Sequence, residues 1–112
     1  MNLFYDLEGN PISAREWERI YTSPDRIIEQ TRIGQYTVST VWLGIDHGMG
    51  MSPPLIFETM LFAEDDEDLD LSCWRFSTRE VAAESHAHIV SMVYDLALAQ
   101  TLSDQSKGDL HG

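Results

Sequence analysis

One stretch of the chain has the spacing of a long amphipathic helix, and it limits the folds that the remaining residues can adopt. The residues that recur at intervals of 4, 3, 4 and 3 are Ala82, His86, Ile89, Val93 and Leu96. This spacing places them on one face of a helix, which must be buried against another layer. Ser77 and Glu80 have the spacing of a capping box, so the sequence predicts the helix over about residues 78–100.

Four segments of the remaining chain have the composition of β-strands. Residues 26–33 and 36–44 flank Gly34-Gln35 as a hairpin, and residues 55–63 and 72–76 follow as a third and a fourth strand. Two short extended pieces within residues 3–12 surround Gly9, and Ser13 with Glu16 opens a short helix.

These elements predict an α+β fold. We expect an antiparallel meander of about four strands, with the long C-terminal helix across one face. The short N-terminal helix is expected at an edge or on the opposite face. Residues 1–100 would form a single domain, and residues 101–112, which have no pattern, a flexible C-terminal tail.

Both faces of the predicted sheet are partly apolar. In the third strand Leu55, Phe57 and Leu61 alternate with Ile56, Met60 and Phe62, which face the other way. One helix cannot cover both faces, so the second face requires the short helix, a partner or another subunit. A homodimer through this second face is therefore one of the expected arrangements.

The net charge excludes several classes of partner. The chain has 112 residues, with 19 acids against 7 bases and a formal net charge of −12. Direct binding to nucleic acid or to an anionic membrane is not expected, because both require clustered Lys and Arg. The single cysteine cannot form an intramolecular disulfide, and no apolar run approaches the roughly 18 residues of a membrane span. We therefore expect a cytoplasmic protein.

Half of the net charge lies in one segment after the third strand. Its acids are Glu64, Asp65, Asp66, Glu67, Asp68 and Asp70. The segment lacks the central glycine of a calcium-binding loop. It has two interpretations: a solvated loop that aids solubility, or a partner-binding patch whose charges are spaced, at roughly 3.4 Å per residue, like the phosphates of DNA.

Five other residues form the candidates for a loop or pocket site: Asp46, His47, Glu58, Arg75 and His86. Asp46 could orient His47 as a general base, or it could cap a turn. Glu58 interrupts an apolar strand, so it either pairs with Arg75 on the next strand or faces a pocket with His47. His86 is expected to be a buried, hydrogen-bonded histidine.

A metal site is not expected, and no cofactor is predicted. His86 and His88 are two residues apart, so they point in nearly opposite directions from one helix. A site would form only if His47 and His86 met in space, with Glu58 or Cys73 as a third ligand. The sequence has no Walker-type phosphate loop, no nucleophile elbow and no Cys-x-x-Cys pair.

Several strings of the sequence resemble a family of small uncharacterised proteins of bacteriophages and prophages. The strings are Asp6-Leu-Glu-Gly-Asn-Pro-Ile-Ser, Val38-Ser-Thr-Val-Trp-Leu-Gly-Ile-Asp-His47 and Pro54-Leu-Ile-Phe-Glu-Thr-Met-Leu-Phe62. The resemblance covers about residues 5–90 and implies a phage accessory protein that acts on host machinery. It implies no catalytic mechanism.

Together these features predict a small acidic phage-type accessory protein that is not an enzyme. It would bind a host protein with a basic surface in the host cytoplasm and inhibit or modulate it, as anti-CRISPR and other counter-defence proteins do. Nucleic-acid mimicry by the acidic segment is one version of this hypothesis. The alternatives are a protein that binds a small ligand such as a nucleotide signal, and a virion or assembly component.

Overall fold

The structure is a computed structural model that describes residues 3–46, 53–64 and 72–111. The elements in chain order are β1 (Phe4–Tyr5), β2 (Pro11–Ile12), α1 (Ala14–Tyr21), a 3₁₀ turn (Pro24–Arg26), β3 (Ile27–Ile33), β4 (Tyr36–Trp42), β5 (Phe57–Ala63), β6 (Cys73–Phe76) and α2 (Arg79–His111). The predicted α+β fold is confirmed. None of the described helices combines the length and apolar character that crossing a bilayer requires.

The main sheet is an antiparallel meander in the order β3-β4-β5-β6. Gly34, at φ 59°, forms the turn of the β3–β4 hairpin. In the centre of the sheet Thr40 is opposite Thr59, and at one end Trp42 is opposite Phe57. A register shift between Ile27 and Glu29 interrupts the pairing of β3.

The two extended pieces predicted at the N-terminus are present, and they pair with each other as a separate two-stranded sheet, which the sequence did not predict. β1 pairs antiparallel with β2, and Gly9 turns between them at φ 87°. Only one half of the predicted capping box forms at α1. Ser13 Oγ accepts a hydrogen bond from the Glu16 backbone N–H at 3.2 Å, whereas the Glu16 carboxylate binds Arg19.

The long helix α2 differs from its prediction at both ends. Thr78, not Ser77, caps it, because Thr78 Oγ1 accepts a hydrogen bond from the Val81 backbone N–H at 3.2 Å. The predicted end near residue 100 is wrong, since the helix continues to His111. The apolar spacing stops where the helix leaves the sheet, but the backbone hydrogen bonds of a helix continue without a packing partner.

The core between the sheet and the helices consists of two apolar clusters. The cluster near the start of α2 contains Ile20, Trp42, Ile56, Phe57 and Ala82. The second, farther along α2, contains Tyr36, Val38, Leu61, Ile89 and Val93. Ile56 was expected on the second face, but it precedes β5 and belongs to the first cluster, because the strict alternation begins only at Phe57.

The short helix α1 lies on the same side of the sheet as α2, so the opposite face, one of its two expected positions, is wrong. Its Ile20 is buried in the first cluster, and its Trp17 ring lies 6.5 Å from the ring of Trp42. The second face carries Met60 and the partly exposed Phe62, as predicted. Within the described residues no helix covers this face, so a dimer or a partner there stays a prediction.

Candidate functional site

A layer of buried polar side chains separates the two apolar clusters. Its centre is His86 of α2, of which only 1% is exposed. Thr40 of β4 and Thr59 of β5 are fully buried beside it, and Thr31 of β3 completes the layer. Each of the four residues comes from a different element, so the layer joins three strands to the long helix.

Hydrogen bonds satisfy both ring nitrogens of His86. Nδ1 lies 2.7 Å from Thr40 Oγ1, which is also 2.5 Å from Thr59 Oγ1. Nε2 lies 2.9 Å from Thr31 Oγ1. Because a hydroxyl can donate or accept, either neutral tautomer of the imidazole fits this arrangement.

The surroundings of His86 favour the neutral ring. Burial lowers the pKa of the imidazole below its ordinary value, since a charged ring would lose its hydration. The Glu29 carboxylate raises this pKa in part, because its Oε2 lies 4.0 Å from Nε2. The prediction that His86 is buried and hydrogen-bonded is confirmed, and its arrangement is that of a structural residue.

Glu58 and Arg75 lie on the opposite face of the sheet from His86. They are opposite each other in the pairing of β5 with β6, and Arg75 Nε donates to Glu58 Oε2 at 3.1 Å. The cross-strand pair is therefore confirmed. The sheet separates Glu58 from His86, so these two residues do not share a pocket. They therefore cannot act together as a general acid and a general base.

Asp46 lies in the connection that follows β4. Its Oδ1 accepts a hydrogen bond from the Leu55 backbone N–H at 2.9 Å. This contact joins the two ends of the connection between β4 and β5. Of the two roles expected for Asp46, it corresponds to the capping of a turn. His47 lies outside the described residues, so its proposed role with Asp46 stays a prediction.

The acidic segment begins at the end of the sheet formed by the β3–β4 turn. The Glu64 backbone N–H donates to Gln35 O at 3.0 Å, and its carboxylate forms an ion pair with Arg32. The other acids of the segment, residues 65–68 and 70, lie outside the described residues. The first charge of the acidic segment, that of Glu64, is thus paired with Arg32 of the β3–β4 hairpin.

A groove with mainly apolar walls lies between β6 and α2. Its volume is about 280 Å³, and it is open to solvent. The lining residues are Trp74, Phe76, Glu84, Ser85, His88, Ile89 and Met92. β6 is the last strand of the sheet, so the groove runs beside an edge strand.

No cluster of metal-ligating side chains occurs in the part of the chain that the structure describes. No three His, Cys, Asp or Glu side chains there are placed to hold a metal ion. His88 is exposed on the groove side of α2, away from His86, as the helical spacing predicts.

The sequence contained a signal for the polar layer that residue-by-residue reasoning missed. Thr40 stands between Val38 and Trp42, and Thr59 between Phe57 and Leu61, at positions where the alternation calls for a core residue. Two threonines at core positions of neighbouring strands indicate a buried partner. The groove had no comparable signal, because it depends on how far β6 lies from α2.

Comparison with known proteins adds no assignment to this geometry. The chain matches no protein-family model, and no curated protein or solved structure is significantly similar to it.

Proposed function

We propose that the chain is a non-catalytic protein-binding domain of phage type, which binds and inhibits or modulates a host protein through that protein's basic surface. Anti-CRISPR or other counter-defence activity is the expected setting in the host cytoplasm. The observation that carries the proposal is the pairing of three of the six arginines, one on α1 and two on the sheet. Arg19, Arg32 and Arg75 each form an ion pair with a carboxylate.

The ion pairs of Arg32 and Arg75 affect how the negative charge of the acidic segment is balanced. Between Arg32 and Arg75 the sequence contains no Lys or Arg, and both of these arginines are engaged by Glu64 and Glu58. The five acids at positions 65–68 and 70 therefore have no basic neighbour in the sequence to compensate them. A partner with a basic surface would provide that compensation.

The same pairing weakens the case for a nucleotide ligand. Arg32 and Arg75 are the bases nearest to the sheet that would contact a phosphate, and each would have to leave its carboxylate first. Arg26 lies over the Tyr21 ring, with its guanidinium 4.6 Å from the ring centre, and its Nε is buried without a hydrogen-bond partner among the described residues. On the sheet, the observations therefore favour a protein partner over a small anionic ligand. The exposed Arg15 and Arg79, which form no ion pair with a described carboxylate, lie on α1 and α2 instead.

An affinity capture from host lysate tests the proposal, with a variant that neutralises only the unpaired acids. The variant D65N/D66N/E67Q/D68N/D70N retains Glu64 and its ion pair with Arg32. A control variant removes the same charge from exposed acids elsewhere: E8Q/E18Q/D25N/E80Q/D95N. Each variant has a net charge of −12 + 5 = −7.

We expect the wild type and the control to retain a basic host protein that the segment variant loses. Added duplex DNA should displace this protein if the segment occupies a nucleic-acid site. Equal retention by both variants would contradict the role of the segment. Absence of any specific host protein from all captures would contradict the proposed function itself.

A further inference from the structure

The geometry points to β6 and the groove beside it as a site for an extended peptide segment of a partner, which adds to the sheet as a fifth strand. This inference rests on the proposed protein-binding function and names the kind of segment that binds. The segment would have apolar residues at alternate positions and a net positive charge.

The first support is the edge that β6 presents. β6 ends the strand order, so one side of its backbone has no neighbouring strand in the described part of the chain. The opposite edge, β3, has a register shift between Ile27 and Glu29, and it carries the exposed charges of Glu29 and Arg32. Bulges and charges protect an edge against strand addition. The pairing of β6 with β5 has no register shift, and the one charge on β6, that of Arg75, is paired with Glu58.

The second support is the position of the groove. Trp74 and Phe76 alternate along β6 and face α2, and across the groove lie Ile89 and the half-exposed Met92. A strand added to β6 would continue the sheet under this part of α2. Its alternate side chains would then point into the groove, as in other complexes formed by strand addition.

The charges of the groove and of the whole chain indicate which kind of segment would bind beside β6. Glu84 lines the groove, and no Lys or Arg does. A second copy of the chain could also pair through β6, but each copy has a formal charge of −12, and their repulsion opposes association. A basic extended segment is attracted by the net charge of the chain, and its lysines would lie on the face of Arg75, whose charge is paired with Glu58.

Defined peptides test this inference without a host partner. The main probe is a synthetic peptide of about eight residues in which isoleucine alternates with lysine, long enough to span the edge strand. A peptide of the same composition with its isoleucines in adjacent pairs tests the alternation. A third peptide, with glutamate in place of lysine, tests the charge.

Amide chemical shifts and titrations should show binding of the alternating lysine peptide at residues 73–76 and along the groove side of α2. We expect M92D to weaken binding by about tenfold or more, because it places a charge among the apolar contacts. The matched control is L98D, since Leu98 is 49% exposed on the same helix and Met92 is 50% exposed, and Leu98 does not line the groove. Methylation of alternate peptide nitrogens should abolish binding, because it removes the hydrogen bonds to β6.

Three results would overturn the inference. Equal binding of the alternating and the paired peptide would indicate attraction by charge alone. Shifts confined to the second face of the sheet would place the site there. Concentration-dependent dimerisation that perturbs β6 without peptide would make a second copy the occupant. None of these results depends on the host capture, so failure here is distinct from failure of the proposed function.

Discussion

His86 shows how one buried side chain sets the chemistry of the middle of the core. It lies among Thr31, Thr40 and Thr59, and the nearest charged group facing it from the sheet is the Glu29 carboxylate. The three hydroxyls can accept hydrogen bonds from a protonated ring, but they carry no charge. Protonation of His86 in the folded state is therefore opposed by burial and only partly assisted by Glu29.

This arrangement predicts that the protein loses stability in mild acid. The pKa of His86 is lower in the folded than in the unfolded state, so the unfolded chain binds more protons as the pH falls below about 6.5. The free energy of unfolding should be constant above that pH and should decrease below it, by up to about 1.4 kcal/mol per pH unit. Urea denaturation between about pH 7.5 and pH 5.5 would measure this, above the range in which ordinary carboxylates titrate.

The variant H86Q is the control for this pH dependence. It removes the titrating group and retains a side chain that can both donate and accept hydrogen bonds. We expect H86Q to be less stable at neutral pH by about 1–3 kcal/mol, and to lose most of the pH dependence. A variant whose stability decreased as steeply as that of the wild type would show that another group is responsible.

Gly44 is a second residue whose environment allows little change. It has φ 71°, and a Cβ there would lie 2.7 Å from Trp17 Cδ1 and closer still to the Trp42 ring. Its carbonyl accepts the Tyr5 backbone N–H at 2.9 Å, while the Trp17 indole N–H donates to Leu43 O at 2.9 Å. The residue thus allows β1, α1 and the end of β4 to meet.

We therefore expect G44A to destabilise the fold by about 3 kcal/mol or more, from backbone strain together with steric overlap. G9A is the matched control, because Gly9 also has a positive φ but a Cβ added to it would meet no other part of the chain within 4 Å. It should reduce stability by only about 1 kcal/mol, and thermal or urea denaturation would compare the two. Equal losses would mean that the contacts with the tryptophans relax easily.

The elements show which parts of the structure the sequence determines locally. The strands β4 and β5 were predictable because β-branched and aromatic residues alternate in them. The pairing of Glu58 with Arg75 was predictable as well, because consecutive strands of a meander are neighbours. The partners of His86 were not, since they depend on the register of three strands at once.

The end of α2 was not predictable for a different reason. Burial produces the apolar periodicity, and the described hydrogen bonds from α2 to the sheet end at Gln100, which accepts from the Tyr36 hydroxyl at 2.6 Å. Among the described side chains, Thr101 is the last of α2 that lies beside the β3–β4 turn. The 33 residues of α2 correspond to about 50 Å, which accounts for the long dimension of 64 Å against 25 and 22 Å.

Removal of the end of α2 should therefore leave the fold intact. We expect the free energy of unfolding of a chain that stops after Ser103 to be within about 1 kcal/mol of that of the full chain, because the described contacts of α2 with the sheet end before that residue. A chain that stops after Leu96 would also lose Ala97 and Gln100, which contact the β3–β4 hairpin end. It should be less stable by about 2 kcal/mol or more.

Circular dichroism and urea denaturation of both truncated chains would measure this difference. If removal of residues 104–112 destabilised the protein as much as the longer deletion, the end of α2 would be packed against the domain rather than projecting from it.

On the scale of the whole molecule, the two faces of the sheet have different roles. The face under α1 and α2 contains both apolar clusters and the polar layer, whereas the other carries Glu58 and Arg75 beside Met60 and Phe62. The groove at β6 belongs to the first face, and the acidic segment joins β5 to β6 at the end of the sheet. A partner that engages both would therefore approach the molecule from its β6 edge.

The net charge also acts on the molecule as a whole. At −12 the folded chain repels itself more strongly than the expanded unfolded chain does, because its charges are closer together. The ion pairs of Arg19 and Arg32 are exposed, and such pairs contribute little to stability. In the pair with Arg75, the Glu58 carboxylate is partly buried. Added salt should therefore weaken the repulsion among the acidic residues more than it weakens the attraction within the ion pairs.

We expect the free energy of unfolding to rise by about 1 kcal/mol between about 20 mM and about 500 mM sodium chloride. The segment variant D65N/D66N/E67Q/D68N/D70N should be more stable at low salt and should show a smaller rise. Urea denaturation at each salt concentration measures both effects. A decrease in stability with salt would mean that the three ion pairs outweigh the repulsion, and the acidic segment would then impose no penalty on the fold.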